Sequence, residues 1–71
     1  MESVARELIG KRQRARVTQT ALAVAIGIDR STLIKRENHP QTAPDGFWLI
    51  YETKLRALVS EKARQALEAV A

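Results

Sequence analysis

The sequence contains no cysteine, one histidine, two prolines, three glycines and three aromatic residues. Without cysteine there is no disulfide and no thiolate metal site, and one histidine cannot build a zinc site unaided. The longest near-continuous apolar run, residues 21–28, falls far short of the ~20 residues a membrane span needs. The opening MESVARELIG lacks a basic start followed by a long apolar stretch, so no secretory signal is expected. The expectation is a cytoplasmic protein with no membrane partner. There is no paired-carboxylate constellation, no glycine-rich phosphate loop and no metal-ligand spacing, so neither an enzyme nor a cofactor is expected.

What remains is a chain of 71 residues, enough for one domain with one small core. Hydrophobic residues make up 45%, but eleven of them are alanine, so the true core is smaller than that share implies. Alanine and leucine favour helix, and Val, Ile and Thr never cluster with period-two alternation. The fold class is all-α, with four to five helices. The net charge is +4, and all of the excess lies in residues 1–38, with eight cations against four acids; residues 39–71 balance at four and four. That asymmetry suggests one basic face for a polyanion.

Five helical segments can be read. The first runs over about 3–15, with Val4, Leu8 and Ile9 inward and Gly10 costing up to about 1 kcal/mol relative to alanine. The second begins at the N-cap Thr18, buries Leu22 and Ile26, and ends at Gly27, which suits a left-handed stop. The third starts at the N-cap Asp29 and reaches Asn38, with Ile28 and Leu33 inward. After a loop holding Pro40 and Pro44, apolar residues at spacings of three and four predict a fourth helix over 45–58. A fifth is expected from Ser60, although 45–71 also reads as one bent helix.

The stretch 19–38, QTALAVAIGIDRSTLIKREN, carries the functional signal. An apolar helix with a small residue at Ala23, a tight turn at Gly27 and a short polar helix pinned by Ile28 and Leu33 has helix-turn-helix spacing. Arg30, Ser31 and Lys35 then point outward from the N-terminal half of the second of these helices. In such motifs that half enters the major groove.

With ARVT before it, the stretch resembles the Cro/repressor type of helix-turn-helix, the XRE family, to which lambdoid phage repressors and Cro proteins belong. The resemblance covers about residues 4–38 well and 39–58 loosely. It implies a lambda-repressor-like domain over 1–71, with the helix-turn-helix at about 18–38 and core and dimerisation helices over 45–71. It also implies that Arg30, Ser31 and Lys35 read bases, that Thr18, Gln19, Thr32, Asn38 and His39 contact the DNA backbone, that Gln19 also supports the recognition helix, and that Arg12 and Glu37 form a buried ion pair. Three positions depart from the family. Arg36 stands at a usually apolar site, where its stem can lie on the core and its charge at the rim. Arg16 stands where glycine is common. His39 replaces a common glycine and leaves Asn38 as the expected left-handed residue.

The function expected is a sequence-specific, double-stranded-DNA-binding transcriptional regulator. It would act as a phage- or plasmid-type repressor, binding a palindromic operator as a homodimer. The surplus apolar residues Trp48, Leu49, Leu55, Val59, Leu67 and Val70 are the expected interface. Two alternatives stand beside it: the DNA-binding antitoxin of a toxin–antitoxin pair, and a helical adaptor that contacts proteins without DNA. No small-molecule effector is expected.

Overall fold

The computed structural model describes residues 2–70, and side chains within 3–69. Among the described residues there are four α-helices and no strand: α1 (Glu2–Arg14), α2 (Gln19–Ile26), α3 (Arg30–Asn38) and α4 (Phe47–Val70), with a 3₁₀ turn at Pro40–Thr42 between α3 and α4. The protein is a small all-α domain. No described helix is long and apolar enough to cross a membrane.

The stops and starts follow local chemistry. Thr18 is extended, and its hydroxyl accepts from the Ala21 amide at 3.0 Å, which caps α2. Gly27 ends that helix at φ 92°, and its amide and that of Ile28 both donate to the Ala23 carbonyl. Asp29 takes the extended N-cap position of α3, but its side chain makes no capping bond. The expected left-handed residue after α3 is absent: α3 runs through Asn38, and His39 leaves it at φ −132°. The chain turns instead through the 3₁₀ segment that Pro40 starts, so no left-handed residue is needed there. The one non-glycine residue with positive φ among those described is Arg16, at 58° between α1 and α2.

Of the two readings of 45–71, the structure takes the single helix, with no break before Ser60. Residues 47–70 contain no glycine or proline, and alanines recur through 57–69, so nothing interrupts the helix. Ser60 is an exposed mid-helix residue rather than a cap.

The core gathers Ala5, Leu8, Val17, Leu22, Ala23, Leu33, Phe47, Trp48, Tyr51 and Leu55. Each buried leucine in it contributes about 1.5–3 kcal/mol relative to exposure. Ala5 rather than Val4 faces inward from α1; Val4 is about half exposed, because the burial stripe of α1 runs Ala5–Leu8–Arg12. Ile9, Ile26 and Ile28 pack on the core partly buried. Trp48 and Leu55, expected at an interface, lie inside this core, since the first turns of α4 lie against α1 and α2. Leu49, Val59 and Leu67 are exposed. The Val70 side chain lies outside the described residues.

Candidate nucleic-acid interface

Helices α2 and α3 are tied to α1 and α4 through one carboxylate as well as through the core. Arg12, in the last turn of α1, meets Glu37, in the last turn of α3, through Nε to Oε2 at 2.9 Å and Nη2 to Oε1 at 3.1 Å. The pair is buried, with 9% and 5% of the two side chains exposed. Two further donors complete the site. The Tyr51 hydroxyl of α4 donates to Glu37 Oε2 at 2.6 Å, and Gln19 Nε2, at the start of α2, donates to Oε1 at 2.9 Å. One carboxylate thus accepts hydrogen bonds from each of the other three α-helices. Arg12 also shares Nε with the Tyr51 oxygen and donates Nη1 to the Val17 carbonyl at 3.0 Å, closing the α1–α2 connection.

The electrostatics of the cluster are self-consistent. Burial works against the Arg12 charge, but the hydrogen bonds and negative charge of Glu37 outweigh it, so the guanidinium is held above its ordinary value. Burial, then the hydrogen bond to Glu37 and its charge, pushes the Tyr51 hydroxyl well above the usual tyrosine range. Tyr51 therefore stays a proton donor at neutral pH. No buried side-chain polar atom among the described residues lacks a partner.

The ion pair and a supporting role for Gln19 were expected; the Tyr51 bond was not. The signal for Tyr51 was a tyrosine on the apolar stripe of α4, since a buried hydroxyl requires a partner. For Gln19 one amide proton is held by Glu37 and the second remains free, so it is first a brace between α2 and α3.

On the outer side, Ser31, Lys35 and Asn38 recur at spacings of four and three along one exposed face of α3. Arg30, also exposed, stands at the edge of that face, over a polar depression lined by Gln13, Thr18, Gln19 and Thr20 as well. Gln13 and Thr20 were missed: nothing in their spacing marks them, and only the packing of α1 and of α2 on α3 brings them beside Arg30. Neither Arg30 nor Lys35 makes a salt bridge with another described residue. Thr32 is half-buried and lies off this face, while His39 is exposed where α3 ends. Arg36 turns inward, its guanidinium 4.9 Å from the centroid of the Phe47 ring, a cation–π contact that fastens α3 to α4. Lys11 and Arg14 lie elsewhere, along a groove between α1 and α4.

No family model, curated protein or solved structure matches this chain. Among the described residues, no group of histidine and carboxylate side chains is gathered closely enough to hold a metal ion. The arrangement offers an exposed polar and basic helix face, braced from behind, beside a polar depression.

Proposed function

We propose that this protein is a sequence-specific double-stranded-DNA-binding regulator of the Cro/repressor helix-turn-helix type. It acts as a homodimer that reads the major groove with α3. The observation that carries the reading is the division of labour on α3. Its inner side spends Leu33, Arg36 and Glu37 on the fold, while Arg30, Ser31 and Lys35 are exposed. Arginine and lysine pair best with guanine O6 and N7, and one good base contact is worth about 1–3 kcal/mol of discrimination. Ser31 pairs with several bases and discriminates less. Thr18, Gln19, Asn38 and His39 suit phosphates, which fix register but carry no sequence information. Thr32 is the weakest of the expected backbone contacts, because it lies off the exposed face.

The test begins with selection of bound duplexes from a random pool. Binding of variants to the selected and a scrambled duplex is then measured across a salt series. Arg30→Ala and Lys35→Ala should each lower affinity for the selected duplex by about 1–3 kcal/mol more than for the scrambled one. Lys11→Ala, on a different face, should change both alike. An unchanged ratio in the α3 variants would remove α3 as the reader and the proposed function with it.

A further inference from the structure

A groove of about 570 Å³ runs between α1 and α4. Its apolar floor is Leu8, Leu55 and Val59. Leu8 and Leu55 belong to the core, whereas Val59 is 39% exposed and carries the apolar surface outward. The groove follows Leu8–Ala15 on one side and Glu52–Ser60 on the other. At 1.5 Å per residue each side is about 10–12 Å long, or two helical turns.

Cations stand on both banks. Lys11 and Arg14 belong to α1 and Arg56 to α4; Glu52 is the one acid among the lining residues, which leaves +2. Counting Glu7, which meets Lys11 at 3.7 Å, still leaves +1. Arg14 makes no salt bridge with another described residue. The contacts of Lys11 with Glu7 and of Arg56 with Glu52, at 3.7 and 3.5 Å, join adjacent turns of one helix at the surface. Such pairs are weak, and an incoming carboxylate displaces them at little cost.

Shape and charge together select the occupant. Sites for small molecules close over most of the ligand, but this groove is open, with Lys11, Arg14, Arg56, Val59 and Ser60 all exposed. A long-chain carboxylate calls for cations gathered at one end, whereas these flank the floor on both sides. The complement is a helix with an apolar stripe and carboxylates along both flanks, seated by residues at i, i+3, i+4 and i+7. A second copy of the chain does not supply it, because none of the four helices is net acidic. We propose that the α1–α4 groove docks an acidic amphipathic helix of a different protein. No α3 residue lines the groove, so a helix seated there leaves the exposed face of α3 free. A chain bound to DNA through α3 thus holds a second protein on another side.

The test is titration of the full chain, without DNA, with two synthetic helix-forming peptides of about fourteen residues, four turns each. Both carry leucine at i, i+3, i+4 and i+7. One flanks the leucines with glutamate, the other with lysine. At low salt the glutamate peptide should bind about tenfold more tightly or better, and the difference should shrink as salt rises. Arg14→Glu combined with Arg56→Glu should remove that preference. Val59→Asp should lose most of the binding with helicity unchanged, since Val59 is partly exposed. Leu49→Asp, at a site on α4 that is 68% exposed and outside the groove, should bind as the wild type does. No binding of the glutamate peptide at roughly 1 mM, equal binding of the two peptides, or undiminished binding by the Val59→Asp chain overturns the proposal. A chain that takes up dodecanoate but not the glutamate peptide, or one that self-associates through Val59 and takes up neither, overturns it as well. DNA binding is scored apart: a chain that docks the peptide but binds no duplex selectively refutes the proposed function and leaves this contact standing.

Discussion

Glu37 is the residue on which most of the geometry converges, and its environment makes two outcomes calculable. Removing its charge leaves the Arg12 guanidinium buried without its counter-ion. Breaking a buried pair in this way costs roughly 3–5 kcal/mol. In a domain of this size each kcal/mol moves the melting temperature by about 4–8 °C, so Glu37→Gln should lower it by more than about 10 °C. Glu68→Gln, on the exposed outer half of α4, should stay within about 0.5 kcal/mol of the wild type. Thermal unfolding followed by helicity measures both, and equal small shifts would show that the pair does not carry the fold. Tyr51 gives a pH prediction. Its hydroxyl is held above its ordinary value, so the native state keeps a proton that the unfolded chain releases near pH ~10. The stability this contributes is whole below that pH and is lost as pH rises through the native value. Tyr51 is the chain's one tyrosine, so phenolate absorbance reports it alone. The absorbance should rise only as helicity is lost; a phenolate signal at the ordinary pH with the helices intact would contradict the hydrogen-bonded geometry. The Arg12–Glu37 pair was legible in the sequence through resemblance. Gln19 was legible only as a support and Tyr51 only as a tyrosine on an apolar stripe, because the partner of a hydrogen bond between helices is set by how they pack and leaves no mark on local spacing.

At the scale of elements, α2 and α3 were legible because their ends are written in side chains: a threonine cap, a glycine stop, a short polar helix after a tight turn. At α4 the sequence left one helix or two open for a related reason. Ser60 has the chemistry of a cap, but a cap requires the preceding backbone to leave the helix, and a sequence without glycine or proline on either side within the helix gives it no reason to do so. The inward and outward residues of α4 were confused as well. Trp48, Leu49 and Leu55 look alike in a pattern of apolar residues, yet Trp48 lies 5.0 Å from the Phe47 ring and 4.9 Å from that of Tyr51, whereas Leu49 is 68% exposed. One unbroken helix with two environments should behave as two regimes in amide hydrogen exchange. Amides around Tyr51 and Leu55 should exchange only with global opening. Those beyond Lys62 should exchange through local fraying. Uniform protection along α4 would contradict this division.

On the scale of the whole molecule, the shape is an elongated 44 × 23 × 17 Å, and α4 accounts for the long dimension at about 36 Å. The same helix carries Tyr51, which anchors the carboxylate behind α3, and Ala63, on its exposed outer half. Those two positions are twelve residues apart on a single rod, a rise of about 18 Å with no hinge between them. For anything held at its outer end, α4 is therefore a ruler. The distance and twist from that point to the body of the domain are set by a count of residues rather than by a flexible linker. Adding four residues between Tyr51 and Ala63 would move the outer end away by about 6 Å and turn it by about 40°, with every residue of α3 left unchanged.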